Sequence, residues 1–393
     1  VKGGAIVDLT LFVDHQCNLR CDYCYTGEKF RRPMTEAMVE ASVDLALSDS
    51  PRRIVLGFFG GEPLLHFPLV VRAVEIFRAR LSRRVHPPEL DIVLNTNATL
   101  IDERIVSWLV HENVGLNVSL DGPAAVHDRC RRDRGGRGSY QRVERGLRLL
   151  RAAGLRLRLN AVVAPETAAD LGETASELFR HDPLVATLTP NLAANWTDQD
   201  LAAFRDGAHQ AALVWESEIR ARRARLFEPF LSKVLSHVQG GSPRAPRCGT
   251  TLKEVTVAPS GYLYSCAQQV GEDRDASLRI GDLKTGVELE AVNGLRARAA
   301  QVSKVCGGCA LRSRCSADCG CKQRSASGSV GRIDGVLCAT EAALVEAADA
   351  AAERLYRSGD STFLEMIYTR RWQLRDGAEL TQLRRSSSTA PPR

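Results

Sequence analysis

Apolar residues alternate along this chain between two textures. Short runs dense in Val, Ile, Leu and Phe read as buried strands over residues 6–13, 53–59, 90–95, 114–120 and 155–163, with a weaker run over 184–188. Between them, apolar positions at helical spacing predict helices over 35–47, 68–81, 102–112, 140–153 and 167–179, and a further one over 198–223. Strand–helix alternation of this kind implies parallel strands joined by crossover helices. Six such units fall short of a closed eightfold barrel. The expected fold is therefore α/β: a partial (βα)6 TIM-like barrel over residues 1–225.

The texture then changes. A bridging helix over 227–239 falls in a linker at 226–246, where Gly240-Gly241-Ser242-Pro243 and Pro246 mark a boundary. From 247 to 338 the long apolar runs give way to short strands, turns and eight cysteines. A region so poor in large apolar residues is expected to need metal to fold. An alanine-rich helix over 340–357 and a short one over 362–371 fill 339–383, and the polar tail 384–393 is expected to be disordered.

Composition narrows the function. Hydrophobic content of 44% and charge of 25% are those of a globular protein. No apolar run approaches the ~20 residues that span a bilayer, so no membrane partner is expected. No signal peptide precedes the first strand, which points to the cytoplasm. Twelve cysteines, mostly clustered, then argue for metal rather than disulfides. The net charge of +6 is mostly arginine, and its densest stretch, 129–158, contains a single aromatic, Tyr140. That is not a nucleic-acid surface.

The chemistry is concentrated after the first strand. His15 to Tyr25 reads HQCNLRCDYCY, placing Cys17, Cys21 and Cys24 in a C-x3-C-x2-C array in a loop where α/β proteins carry their sites. Thiolates favour zinc, copper(I) or iron–sulfur clusters. Three cysteines on a four-iron cube leave one iron open to a small molecule. Gly60-Gly61-Glu62-Pro63 follows the second strand, Asn95-Thr96-Asn97 ends the third, and Ser119-Leu120-Asp121-Gly122-Pro123 ends the fourth. His127 and Asp128 read as loop braces, Asn160 as a strand residue able to face the pocket, and Cys130 as a small buried hydrophobe beside Arg131.

This array resembles the radical S-adenosylmethionine (SAM) enzymes, with Tyr23 at the aromatic position of C-x3-C-x-aromatic-C. The resemblance implies a [4Fe–4S] cluster on Cys17, Cys21 and Cys24, with SAM on its open iron and cleaved by one electron to a 5′-deoxyadenosyl radical. It also implies SAM contacts from Gly60, Gly61, Glu62, Asn95, Asn97, Ser119 and Arg131, the last suited to a carboxylate. The later cysteines match the SPASM domain of such enzymes: Cys248-x12-Gly261-x4-Cys266, then Cys306-x2-Cys309-x5-Cys315-x3-Cys319, then Cys338. By that match Cys248, Cys266 and Cys319 hold a first auxiliary Fe–S cluster, and Cys306, Cys309, Cys315 and Cys338 a second.

The first auxiliary set lacks a fourth matching cysteine, a place open to Cys321, water or a substrate thiolate. Sulfatase-maturing relatives place an Asp after the cysteine matching Cys266, whereas this chain has Ala267. The expected function is a peptide- or protein-modifying oxidoreductase, a maturase that cross-links or oxidises a side chain. The alternatives are a small-molecule dehydrogenase or decarboxylase and a non-catalytic Fe–S or zinc protein. Expected partners are the peptide substrate and an electron donor such as flavodoxin or ferredoxin. With so little chain before the first strand, leader recognition is expected from the barrel mouth, the C-terminal helices or a separate leader-binding protein.

Overall fold

The strand pattern follows from where every second side chain goes. In β5 (Leu157–Val163), Leu157, Leu159, Ala161 and Val163 are buried while Arg158, Asn160 and Val162 are only partly covered. The computed structural model describes residues 6–240 and 254–369. Its parallel strands are β1 (Ile6–Phe12), β2 (Arg53–Phe59), β3 (Glu89–Thr96), β4 (Gly115–Ser119), β5 and β6 (Val185–Pro190). Helices α1 (Glu36–Leu47), α2 (Phe67–Leu81), α3 (Glu103–His111), α4 (Ala124–Cys130), α5 (Tyr140–Ala152), α6 (Leu171–Arg180) and α7 (Asp198–Arg220) connect or follow them. Helix starts carry their expected caps: Thr35 accepts from the Met38 N–H, and Asp102 accepts from the Ile105 N–H at 2.8 Å.

Three features depart from the sequence expectation. Phe227 does not open a helix. Phe227–Glu228 forms a short strand, β7, parallel to β6, and helix α8 (Phe230–Val238) begins only after Pro229. Proline disfavours helical backbone in the residue before it, which keeps Glu228 extended. Helix α4 went unpredicted because it is short and mixed in character.

The cysteine-rich region, expected as a separate domain, continues the barrel sheet. Strand β8 (Glu254–Val257) pairs parallel with β1, and β9 (Tyr262–Tyr264), β10 (Arg279–Asp282) and β11 (Gly286–Val287) follow antiparallel. The result is one sheet in the order β11-β10-β9-β8-β1-β2-β3-β4-β5-β6-β7. Helices α9 (Ala267–Val270), α10 (Leu289–Ala299), α11 (Val302–Val305) and α12 (Gly320–Ser327) carry the cysteine segments. Helix α13 (Gly335–Arg357) starts earlier than expected, capped by Asp334, so Cys338 lies in its first turn. Helix α14 (Ser361–Tyr368) follows. Cys248, the end of the helix expected over 362–371 and the tail 384–393 lie outside the described residues.

A buried ion pair ties the cysteine segment to the helices. Lys233 on α8 and Glu341 on α13 are almost fully buried and bonded to each other. The Lys233 ammonium also donates to the Arg314 carbonyl at 2.7 Å, and Glu341 accepts from the Ser316 N–H at 3.0 Å. Burial alone would raise the Glu341 carboxyl, but Lys322, Lys233 and Ser316 outweigh it and hold it at about 2. The network therefore fixes the chain on both sides of Cys315. Removing one partner strands the other as a buried charge, so Lys233→Met should cost about 3–5 kcal/mol, read as a fall in the urea midpoint. A midpoint unchanged from wild type would contradict this account.

Candidate functional site

The cysteine loop leaves the C-terminal end of β1 and has no regular structure of its own. It is held first by the end of β2. The Val13 N–H donates to the Phe59 carbonyl at 2.8 Å, the Gly61 N–H to the Asp14 carbonyl at 2.8 Å, and the Glu62 N–H to the Gln16 carbonyl at 3.0 Å. Gly60 has φ +136°, and a Cβ there would sit 2.5 Å from the Asp14 carbonyl oxygen. At Gly61 a Cβ would sit 2.2 Å from the Gln16 oxygen. The glycines thus admit the chain's own cysteine loop.

The second clamp is Asp121, which the sequence reading quoted but gave no role. Its carboxylate accepts from the Val162 N–H at 2.9 Å, from Arg131 Nε at 2.8 Å and from the Tyr23 hydroxyl. Arg131 also lies over the Tyr23 ring, 5.3 Å from its centre, and its Nη1 is 4.0 Å from Cys21 Sγ. Arg131, expected to bind a ligand carboxylate, already has one in the chain, and its buried guanidinium faces a cysteine sulfur. Tyr23 is likewise engaged. His127 and Asp128 are braces as expected: His127 meets the Asp121 N–H and Ser139 Oγ, while Asp128 accepts from the Ser139 and Tyr140 N–H groups.

Glu62 turns inward. It accepts from Thr96 Oγ1 at 2.8 Å, the Asn97 N–H at 2.7 Å and the Leu64 N–H at 3.1 Å. It braces the ends of β2 and β3. The Asn97 amide donates to Asn18 at 2.9 Å, and Asn95 is bonded to the Phe58 carbonyl and to Asn117. Ser119 has no side-chain partner among the described residues.

The loop brings Cys17, Cys21 and Cys24 together. Burial, with Glu62 and the other two cysteines, pushes Cys17 up to about 12; burial, with Cys24 and Asp121 and against the pull of Arg131, pushes Cys21 up to about 11. At Cys24 burial is outweighed by Lys29, whose ammonium lies 2.9 Å from the sulfur, and by Thr26, so that thiol is lowered. No three cysteine sulfurs among the described residues lie within 4.8 Å of one another.

The later cysteines also gather. Cys338 is raised by burial and by Cys306 and Cys309, and Cys315 feels Cys338. Cys266 and Cys321 meet the radical-loop cysteines at Tyr25. The Tyr25 side chain is exposed overall, and its hydroxyl is raised by desolvation together with Cys24, Cys266 and Cys321. Ala267 opens α9 directly after Cys266, so no carboxylate stands there.

The fold and this loop define an open α/β barrel with a thiol triplet at the C-terminal ends of its strands. Residues 13–178 match the radical SAM superfamily. The chain is 28% identical over 287 residues to the serine-type anaerobic sulfatase-maturating enzyme of Klebsiella aerogenes, covering 68% of this chain and 67% of that one. It is 29% identical over 163 residues to the cysteine-type enzyme of Clostridium perfringens, covering 39% and 42%. The matches thus span about two-fifths to two-thirds of these curated relatives. The fold matches the structure of anSMEcpe with bound AdoMet and Kp18Cys peptide at TM-score 0.75 and 20% identity, over 90% of this chain and 99% of that one. Streptococcus suis SuiB bound to its precursor peptide SuiA matches at 0.57 and 14% identity, over 85% and 76%.

Two outcomes follow from the clamps. Gly61→Ala should displace the Gln16 backbone and cost about 1–3 kcal/mol, seen as a lower melting temperature and less iron retained after anaerobic reconstitution. Retention equal to wild type would sink the clamp. Burial pushes Glu62 from 4.5 up to about 7 against the pull of Asn97, Leu64 and Thr96. A raised carboxyl favours the folded state most at low pH. The stability advantage of wild type over Glu62→Gln should therefore be greatest below about 4.5 and decline as pH rises toward about 7, measured as the difference in urea midpoints.

Proposed function

We propose that this chain is a radical SAM maturase, an oxidoreductase that modifies a side chain of a ribosomally made peptide or protein. The observation that carries the reading is the thiol triplet at the barrel mouth, with Cys17 buried and Cys21 and Cys24 half-buried, clamped by Gly61 and Asp121. Cys17, Cys21 and Cys24 would hold a [4Fe–4S] cluster. Cys306, Cys309, Cys315 and Cys338 would hold one auxiliary cluster, and Cys266 and Cys319, with Cys248, the other. Cys321, buried and beside Tyr25 with Cys266, is a candidate fourth ligand in that set. When bound, these groups supply one-electron reduction of SAM and removal of a hydrogen atom from an unactivated substrate carbon.

The chain's own residues supply position and dryness. Arg131 sets positive charge beside Cys21, and Lys29 beside Cys24, which eases the loss of both thiol protons on ligation. Ser119 offers a free hydroxyl at the mouth for SAM. The relatives' named substrates are sulfatases, and Ala267 argues for a different peptide here: the chain has no carboxylate at that position to act as base. A flavodoxin or ferredoxin would deliver the electron, and a separate protein is a candidate for leader binding.

The test is anaerobic reconstitution with SAM and reductant, followed by mass spectrometry of a candidate peptide co-expressed with the protein. The expected results are 5′-deoxyadenosine formation and a mass change in the peptide, both absent when Cys17, Cys21 and Cys24 are all alanine. Formation of neither product by the iron-loaded wild type would refute the proposal.

A further inference from the structure

Strands β4, β5 and β6 present a row of hydrogen-bonding side chains that the fold does not use. The register sets Ser119 opposite Asn160 and Asn160 opposite Thr187. Facing residues in parallel strands point to the same side. All three are partly exposed, and none has a side-chain partner among the described residues. They lie on the face opposite Leu159, Ala161, Val118 and Leu188, which pack into the core beneath the helices. One step deeper on that face, Asn117 stands opposite Arg158. Asn117 is already bonded to Asn95 at 2.9 Å.

Arg158 differs from the covered cations whose charge is met by a carboxylate. Arg131 has Asp121, Arg53 has Asp91 and Lys233 has Glu341. Arg158 is partly buried on a central strand with no hydrogen bond or ion pair among the described residues. Burial lowers its guanidinium, and no carboxylate offsets that. An unpaired cation in a lumen costs stability. Folding therefore does not explain its presence, and a ligand would.

We propose that Arg158 anchors a carboxylate of the peptide substrate, either an Asp or Glu side chain or a free C-terminus. This rests on the maturase reading above and deepens it. The guanidinium fork matches a carboxylate with two parallel N–H···O bonds. Its depth separates it from the SAM end of the site: two residues along a strand place it roughly 6.6 Å below the Ser119–Asn160–Thr187 row, away from the cysteine loop. A peptide entering the lumen would meet the row first and the cation at its inner end.

The test uses iron-loaded full chain with SAM and no reductant, as wild type, Arg158→Gln and Arg158→Lys. Three N-acetylated pentapeptide mixtures serve as probes, all free of other acidic residues. One has central Asp and an amidated C-terminus, one central Asn and an amidated C-terminus, and one central Asn and a free C-terminus. Retention is measured by affinity-selection mass spectrometry. Wild type should retain one of the two carboxylate mixtures roughly tenfold or more over the amidated Asn mixture, the range expected of a hydrogen bond to a charged group. Which mixture wins identifies the source. Arg158→Gln should erase the preference, and Arg158→Lys should keep part of it.

Equal retention of all three mixtures by wild type overturns the proposal, as does a preference that survives Arg158→Gln. A loss of SAM affinity in Arg158→Gln without a change in peptide preference overturns it too. Arg158→Met should melt no lower than wild type, because no partner is lost; a clear fall would reveal a structural role and count against the anchor. Failure of the wild type to form 5′-deoxyadenosine with reductant sinks the maturase reading. Formation of 5′-deoxyadenosine without any carboxylate preference sinks only the role of Arg158.

Discussion

A single buried carboxylate at the end of β4 shapes the mouth of this barrel. Asp121 joins three segments that are far apart in sequence: the cysteine loop through Tyr23, the turn after α4 through Arg131, and β5 through the Val162 N–H. Its carbonyl adds a fourth, accepting from Thr174 of α6 at 2.9 Å. A loop of irregular backbone keeps its shape only where each polar group finds a partner. Here the partners come from strand ends, whose positions the sheet fixes. The Gly61 contact works on the opposite side of the loop and by the opposite means, through the absence of a side chain.

Much of this was legible in the sequence, for identifiable reasons. The first six strands and the longer helices between them rest on apolar periodicity, which burial on one face imposes directly. The cysteine loop was legible because thiol spacing is dictated by what the thiols hold. Other features depended on tertiary neighbours. Phe227 looks helical in its own window and becomes a strand because β6 offers a ladder and Pro229 blocks the helix. Strand β8 is too short to announce itself, and only its pairing with β1 makes the cysteine region part of the barrel sheet. Asp121 was visible within its motif, but its partners at Tyr23, Arg131 and Val162 could not be read from one dimension.

The site residues divide the same way. Arg131, Glu62, Asn95 and Asn97 were expected to meet a ligand, and each is already engaged by the chain. Sequence context identifies a residue near a site. Whether its side chain is free depends on the hydrogen-bond inventory of the folded mouth. By that inventory the side chains at the ends of β2 and β3 are engaged, while Ser119, Asn160 and Thr187 on β4–β6 have no side-chain partner among the described residues. A ligand would find its unmet donors at Ser119, Asn160, Thr187 and Arg158, three of which the motif reading did not place among the SAM contacts.

The continuous sheet also bears on how the cysteine sets relate. Because β8 pairs with β1, the strand that leads into the radical loop and the strand that leads toward Cys266 are hydrogen-bonded neighbours. The segment after Cys266 then closes against the loop: Glu272 accepts from the Glu28 N–H at 2.9 Å, and a Cβ at Gly27 would collide with the same side chain. Tyr25 lies at this seam, within electrostatic reach of Cys24, Cys266 and Cys321. Two modules joined by a flexible linker would let that separation vary. A shared sheet holds it constant.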